Sequence, residues 1–230
     1  MEEALSLLDE GAFEAFVGAQ ESQTVEFKRE PYRLDDDNQK FELAKDVAGL
    51  ANGPRGVLII GLATQQRPDS PLDVVASVRT IERDTVDEDQ YSKVIDSRVY
   101  PRIKGLAVRF FPSAEDDQRG LVAISVPPQA DADKYFLVAR PLAEGGAPGW
   151  LVAIPLRSLD RVEAMSLEEL HSLINRGLTL GDRIDGLAAA VAGLAGEQPP
   201  TAQEPTPAER LDERIDQREA ELEGPPEQIA

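Results

Sequence analysis

The most apolar segment of the chain is VLIIGL, residues 57–62, in which no polar side chain interrupts the aliphatic run. Such a run is typical of a central strand buried on both faces, so we expect it to be the most buried strand. The preceding segment, FELAKDVAGLAN, has apolar residues at helical spacing and predicts a helix. Its inward-facing residues are Leu43, Val47, Leu50 and Ala51. We expect Asn52 and Gly53 to close this helix with a left-handed residue.

Weaker patterns predict further elements on both sides of this pair. An N-terminal helix is expected from Leu5 to Val17, bent at Gly11 and packed on the edge of the sheet. The polar, proline-bearing segment 64–70 predicts a loop. Alternating apolar residues and turn signals predict a helix at 88–99 and strands at 25–27, within 71–78, and at 103–111, 120–126, 136–139 and 150–155.

These elements predict an α+β fold, with a single domain built on a central mixed sheet with flanking helices. We expect this domain to span residues 1–176 and to end in a helix capped by Ser166 and Glu169, which have the spacing of a capping box. A C-terminal helical segment and an acidic tail follow it. Their predicted bounds are an amphipathic helix at 177–196, a Pro-rich linker at 197–208, and a charged helix and tail at 209–230.

The helix predicted at 177–196 carries apolar residues at alternating spacings of four and three, the pattern of a coiled-coil seam. The residues of this seam are Leu180, Ile184, Leu187, Val191 and Leu194. Two heptads do not distinguish a seam between chains from a helix that packs on its own domain. Both interpretations stay open, and a homo-oligomer is the partner arrangement that we favour.

Composition removes several classes of function. The chain has no cysteine and one histidine, which excludes disulfides, thiolate nucleophiles and Cys- or His-rich metal centres. It has no run of about eighteen apolar residues, and its N-terminus is acidic, so we expect a cytoplasmic protein without a membrane segment. The formal net charge of −19 argues against a protein that coats nucleic acid by bulk electrostatics.

Basic residues nevertheless collect at a few positions and could line a groove if the fold brings them together. The predicted nucleic-acid-binding residues are Lys28, Arg29, Arg102, Lys104 and Arg157. Each small cluster is equally typical of scattered, solvated surface charges.

The candidate catalytic and metal-binding residues flank the first predicted strand. Glu26 and Lys28 lie two residues apart and so share one face of that strand, and Glu21 precedes it. Clustered carboxylates hold Mg²⁺ or Mn²⁺ in nucleases, and a nearby lysine can stabilise developing charge. The alternative is structural, with Glu26 paired to Arg102 or Lys104 and Glu21 in solvent.

The order of these elements resembles the Schlafen-type AlbA-like domain. The similarity begins with E-x-x-x-x-E-F-K at 21–28, a helix that ends in A-N, a glycine, and an aliphatic strand that ends in G. It continues in VYPRIKGLAVRFF, LVAISVPPQADADKYF and IPLRSLDRVEAMSLEELHSLI, and covers roughly residues 10–176. The resemblance implies nucleic-acid binding in general and metal-dependent RNA cleavage in some members.

The same resemblance implies that active members complete an acidic triad with an aspartate just after the aliphatic strand. This chain has Ala63 and Thr64 there, and Asp46, Asp69 or Asp73 could substitute only if the fold brings it close. We therefore expect binding of DNA or RNA without catalysis and without a cofactor. The alternatives are a Mg²⁺- or Mn²⁺-dependent nuclease that uses Glu21 and Glu26, and an acidic module that assembles with a protein partner in a phage-defence or regulatory complex.

Overall fold

The computed structural model describes residues 2–66, 72–142, 149–158 and 161–194. Its helices and mixed sheets confirm the predicted α+β class. Contacts within the chain divide it into two units, Met1–Leu167 and Glu168–Ala230.

The first unit contains three α-helices and twelve strands among its described residues. The helices are α1 (Glu2–Asp9), α2 (Asp37–Asn52) and α3 (Glu88–Arg98). The first six strands are β1 (Val25–Lys28), β2 (Gly56–Ile60), β3 (Leu62–Gln66), β4 (Asp73–Val78), β5 (Ile81–Glu82) and β6 (Val99–Tyr100). The other six are β7 (Ala107–Pro112), β8 (Arg119–Val126), β9 (Leu137–Leu142), β10 (Gly149–Ala153), β11 (Pro155–Ser158) and β12 (Arg161–Ala164).

The central sheet is mixed, as predicted. β1 runs parallel to β2, with Val25 opposite Val57, and β2 runs antiparallel to β8. β7 pairs with the other edge of β8, and the short β5 pairs with the beginning of β8. Outside this sheet, β6, β9 and β10 form a three-stranded sheet, while β3–β4 and β11–β12 are hairpins.

The prediction that VLIIGL contains the most buried strand is confirmed, because Val57–Ile60 are all 0% exposed. The strand ends at Ile60, two residues before the end of this segment. Gly61 has φ +108°, and a Cβ there would lie 2.5 Å from a methyl carbon of Leu121, so only glycine fits this bend. β3 then begins at Leu62, and residues 64–66 are strand where we predicted a loop. The rest of that predicted loop lies largely outside the described residues.

Side chains alternate across β2, so the central sheet has an apolar core on each face. Leu58 and Ile60 face the core that contains the apolar side of α2, whereas Val57 and Ile59 face a second core. The N-terminal segment supplies Leu8, Phe13 and Phe16 to this second core, where Phe16 meets Phe27 edge to face. The segment therefore covers a face of the sheet, and our prediction that it packs on the edge is wrong. The predicted bend is present at Gly11, which has φ +68°.

The end of α2 differs from the prediction. Gly53 has φ −80° and ψ −165°, so the helix does not close with a left-handed residue. Asn52 instead uses its side-chain amide to reach other elements. Its Nδ2 donates to the carbonyl oxygens of Phe136 at 3.0 Å and Pro155 at 2.8 Å, and its Oδ1 accepts from the Phe136 N–H at 2.7 Å. Asn52 thus fixes β11 and the residue before β9 to the end of α2.

The second unit contains the helix α4 (Leu167–Leu194), which begins directly after Ser166 as predicted. The helix continues through Gly177, so the boundary predicted at 176 lies inside it. In the described part of the chain, no helix is long and apolar enough to cross a membrane. The predicted Pro-rich linker and the charged helix and tail lie outside the described residues.

Candidate functional site

Three elements bring five charged side chains together beside the central sheet. Glu26 and Lys28 lie on β1, Asp46 lies on the buried side of α2, Arg157 lies on β11, and Glu21 precedes β1. We call these five residues the charge cluster. Glu26 and Lys28 share one face of β1 because side chains on that strand alternate, while Phe27 between them faces the second core.

Lys28 links two of the three carboxylates of this cluster, Glu26 and Asp46. Its Nζ lies 2.9 Å from Glu26 Oε1 and 2.9 Å from Asp46 Oδ2. The Tyr32 hydroxyl donates a second hydrogen bond to Asp46 Oδ2, at 2.7 Å. The Lys28 side chain is 33% exposed, whereas Glu26 and Asp46 are buried. Lys28 is therefore the most exposed of these three paired side chains, and it is the one that a ligand in solution can contact.

Arg157 holds the cluster from the other side. Its guanidinium pairs with Glu26 Oε2, and its Nε donates to the Ser22 carbonyl oxygen at 2.9 Å. A third donor reaches the Val25 carbonyl oxygen at 3.2 Å. The side chain is only 1% exposed, so Arg157 fixes the start of β1 and does not reach the surface. Its predicted role as a direct contact to nucleic acid does not agree with this burial.

Glu21 accepts a hydrogen bond on Oε1 from the Phe27 N–H, at 3.0 Å. Burial, followed by the negative charge of Glu26, raises the pKa of Glu21 to about 7. The Phe27 N–H and the two cations of the cluster oppose this increase. Glu21 consequently changes its protonation state near neutral pH.

Lys28 and two nearby tyrosines have fixed protonation states near neutral pH. Burial lowers the pKa of Lys28, but Asp46 and Glu26 together outweigh it and raise that pKa above its ordinary value. Burial, then the charge of Asp46, raises the pKa of Tyr32 well above its ordinary value. Burial also raises the pKa of Tyr91, which donates to the Tyr32 carbonyl oxygen, to about 12. Lys28 stays charged, and both tyrosines stay neutral donors.

We expect Glu21→Gln to become increasingly stabilising, relative to the wild type, as pH rises from 5 to 8. The native carboxyl keeps its proton up to pH about 7, whereas the unfolded one loses it near 4.5, so wild-type stability falls across this window. The difference in unfolding free energy should change by about 1–3 kcal/mol, measured by urea unfolding at each pH. Glu30→Gln is the control, because Glu30 is exposed. If the difference in unfolding free energy between Glu21→Gln and the wild type did not depend on pH, the raised pKa of Glu21 would be contradicted.

A surface groove of about 480 Å³ opens beside the charge cluster. Three cations line it, Lys28, Arg29 and Arg33, together with the carboxylates Glu30, Glu42 and Asp46. The side chains of Arg29 and Arg33 are 66% and 73% exposed. We call this feature the Lys28 groove. The sequence placed Lys28 and Arg29 in one binding site, and both line this groove.

The other predicted cations pair with different carboxylates. Arg102 pairs with Asp96 at 2.8 Å, and Lys104 pairs with Asp133 at 2.9 Å. Our alternative prediction that Glu26 pairs with Arg102 or Lys104 is therefore wrong, since Lys28 and Arg157 take both of its oxygens. His171 is exposed on α4, with its Nε2 2.9 Å from Asn175 Nδ2.

Comparison with models of known families gives a match for residues 21–140, described as Schlafen, AlbA_2. This segment is more than half of the 230 residues. The chain belongs to the Schlafen AlbA_2 family. Membership indicates a function related to nucleic acids. No curated protein matches the chain.

The Schlafen AlbA_2 match begins at Glu21 and includes every member of the charge cluster except Arg157. Arg157, which pairs with Glu26, thus lies on β11, outside the matched segment. The family match does not include Arg157 or α4, so the roles of both depend on the structure of this chain alone.

The residues of the charge cluster do not fit a Mg²⁺ or Mn²⁺ site in this arrangement. Both oxygens of Glu26 accept from cations, and Asp46 Oδ2 accepts from Lys28 and Tyr32. Such metals take about six oxygen ligands, and the described residues include no group of three His, Cys, Asp or Glu that could hold an ion. Ala63 and Thr64 lie half-buried on β3 and contribute no charge.

Sequence reasoning left the role of Asp46 open and missed Tyr32. A signal for Asp46 was available, because Asp46 falls between Leu43 and Val47 on the apolar stripe of α2, and a buried carboxylate requires a partner. Tyr32 lies in the segment between β1 and α2, which has no periodic pattern. Its hydrogen bond to Asp46 becomes evident only when the strand and the helix are packed together.

Proposed function

We propose that this chain binds nucleic acid through the Lys28 groove and does not cleave it. The observation that carries the proposal is the position of Lys28, whose Nζ lies between two buried carboxylates at the edge of a groove with two exposed arginines. Membership of the Schlafen AlbA_2 family supports a ligand of this class.

The groove offers donors that suit a phosphate. A lysine ammonium has three N–H donors, and Glu26 and Asp46 take two of them, so one is left for a ligand oxygen. Arg29 and Arg33 can supply planar, paired donors, which match the geometry of a phosphate. Their ion pairs with Glu30 and Asp36 are long, 3.6 Å each, and exposed, so little stability is lost when a phosphate replaces the carboxylate.

The carboxylates of the cluster support binding rather than catalysis in this proposal. Glu26 and Asp46 hold Lys28 in place, and both oxygens of Glu26 and Oδ2 of Asp46 take part in this network of ion pairs and hydrogen bonds. The position after β2, where the family resemblance implies an aspartate, holds neutral residues. Cleavage of a bound oligonucleotide in the presence of Mg²⁺ or Mn²⁺ would instead favour the nuclease alternative.

We expect Arg29→Gln combined with Arg33→Gln to weaken binding of a single-stranded oligonucleotide and to reduce its salt dependence. Each phosphate contact contributes about 0.7 to the slope of log affinity against log salt on single strands, so the slope should decrease by about 1.4. Fluorescence anisotropy from 20 to 200 mM salt measures both quantities.

The matched control for this pair is Arg109→Gln with Arg119→Gln. Both arginines are exposed and each pairs with a carboxylate, but neither lines the Lys28 groove. Equal slopes for the two double variants would refute the groove as the binding site.

We also propose that the protein is a parallel homodimer through α4. The structure extends the predicted helix upstream, and the seam extends with it, because Leu170, Leu173 and Gly177 continue the alternating spacing back from Leu180. The alternating spacing thus runs over 170–194, and Gly177 is its one position without a side chain. Leu180, Ile184, Leu187 and Val191 are each more than half exposed, so they are available to a second copy.

Residue types at the seam support two parallel strands. Between Leu180 and Leu194, Ile184 and Val191 occupy the a positions and leucine occupies every d position, a combination that favours parallel dimers. The flanking arginines give a further argument. An antiparallel pair aligned along the seam would place Arg183 beside Arg183 or Arg176 of the other copy, whereas a parallel pair places these arginines beside Gly181 and Ala188.

One observation favours a second function, an acidic module that assembles with a protein partner. Every predicted nucleic-acid-binding cation is already paired with a carboxylate, and Arg33 is paired with Asp36. Absence of oligonucleotide binding even at low salt would favour this module. In that case the net charge of −19 would direct the search to basic protein partners.

A further inference from the structure

The segment 99–104, which we call the Tyr100 strip, presents alternate side chains to solvent and to the core. Val99 and Ile103 are 5% and 4% exposed and anchor the strip in the apolar core. Tyr100, Arg102 and Lys104 are 76%, 79% and 75% exposed. One tyrosine and two cations are therefore exposed within five residues, between the end of β6 and the turn that begins at Lys104.

A buried glutamine fixes the end of this strip. Gln129 Oε1 accepts from the Lys104 N–H at 3.0 Å, and Gln129 Nε2 donates to the Lys104 carbonyl oxygen at 2.9 Å. The same Nε2 donates to the Pro127 carbonyl oxygen at 2.8 Å, which ties the strip to the segment after β8. At the other end, Tyr100 pairs with Leu137 of β9. The backbone under the exposed side chains is thus held at both ends.

The exposure of Tyr100 sets it apart from the other aromatic side chains. In the part of the chain whose side chains the structure describes, every other aromatic side chain is buried or half-buried. A single exposed apolar residue needs no explanation by itself. An aromatic ring two and four residues from exposed cations, on a fixed backbone, has the composition of a stacking platform for single-stranded nucleic acid.

We propose that Tyr100 stacks on a base of single-stranded nucleic acid while Arg102 and Lys104 contact the adjacent phosphates. The inference rests on the proposed nucleic-acid function and specifies its ligand as single-stranded. A duplex keeps its base faces stacked inside the helix, so an exposed ring has no face to meet there. The strip is a second contact, separate from the Lys28 groove in its residues.

The two cations of the strip can exchange partners at low cost. Arg102 and Lys104 pair with Asp96 and Asp133 while remaining largely exposed, and such surface pairs contribute little stability. A phosphate can therefore replace either carboxylate. The displaced carboxylates stay near the ligand and repel it, which keeps binding weak and dependent on salt.

The test compares Tyr100→Ala with Tyr100→Phe in the full chain, by anisotropy on a single-stranded oligonucleotide and on its duplex. We expect Tyr100→Ala to weaken single-strand binding about five-fold or more, and Tyr100→Phe to stay within about two-fold of the wild type, because the ring is retained. The salt slope should not change for Tyr100→Ala but should fall for Arg102→Gln. Val17→Ala is the control, an exposed apolar residue of the same unit.

Unchanged single-strand affinity for Tyr100→Ala overturns the platform, even where the wild type binds and the arginines of the Lys28 groove affect binding. Equal losses on single strand and duplex also overturn it, because stacking requires a free base. A wild type that binds neither ligand overturns the proposed function and the platform together. Circular dichroism of each variant establishes that a loss of binding is not a loss of folding.

Discussion

Arg157→Met is expected to lower the free energy of unfolding by about 3–5 kcal/mol. The substitution keeps an apolar stem of similar length but removes the guanidinium that pairs with Glu26 and bonds two backbone carbonyl oxygens. It leaves a buried carboxylate with one cation fewer, since Glu26 then has only Lys28. For a chain of this length the expected decrease in Tm is about 6–20 °C, measured by calorimetry.

Arg161→Met is the matched control, because Arg161 lies on the partner strand of the same hairpin, opposite Ser158, and is exposed. It should change Tm by no more than about 2 °C. Adding Glu26→Gln to Arg157→Met should recover part of the lost stability, since a neutral amide costs less to bury than an unpaired charge. Similar small decreases in Tm for Arg157→Met and Arg161→Met would show that the contacts of Arg157 in the charge cluster do not stabilise the fold.

Replacing Ile184 and Leu187 together by Asp is expected to reduce the mass in solution from that of a dimer to that of a 25.1 kDa chain. Two charges per helix at the centre of an apolar seam oppose association more strongly than the seam favours it. Light scattering coupled to size exclusion measures the mass directly. The first unit should stay folded, because neither residue belongs to its cores.

The control for this pair places the same two charges outside the seam, at the same spacing. Gly186 and Ala189 lie on the outer side of α4, so Gly186→Asp with Ala189→Asp should leave the dimer intact. A wild type that elutes at monomer mass would refute the seam. An unfolded product from Ile184→Asp with Leu187→Asp would instead indicate that α4 stabilises the fold of its own chain.

The elements that the sequence predicts best are those whose pattern is both long and regular. VLIIGL has no polar residue, and α2 keeps its apolar positions over three turns, so burial and secondary structure follow from periodicity alone. The hairpin of β7 and β8 follows from two apolar runs and a turn between them. Charge and family resemblance then brought Glu21, Glu26 and Lys28 into one candidate site, and the structure places these residues together.

The parts that the sequence could not supply depend on contacts between distant segments. Asn52 was expected to help end a helix by its conformation, but its side chain bonds Phe136 and Pro155, which lie more than eighty residues away. The pairing of Glu26 with Arg157 spans a comparable distance. Choosing among the arginines of the chain requires knowing which distant strand brings its side chain to Glu26, and no local pattern carries that information.

The wrong prediction for the N-terminal segment, that it packs on the edge of the sheet, has a different physical cause. Its apolar face was identified correctly, but the same face could cover either an edge or a face of the sheet. The outcome is set by Val57, Ile59 and Phe27, which give one face of the sheet an apolar surface that α2 does not cover. Burial of that surface requires a second layer, and the N-terminal segment supplies it.

The central claim, binding without cleavage, is tested most directly by one gel-shift experiment. Wild-type protein is titrated at low salt against a labelled single-stranded RNA in the presence of Mg²⁺ or Mn²⁺, and the bound and the cleaved fractions are read from the same samples. We predict a retarded complex whose RNA remains full-length. Absence of any complex, or cleavage that is lost in Glu26→Ala, would contradict the account.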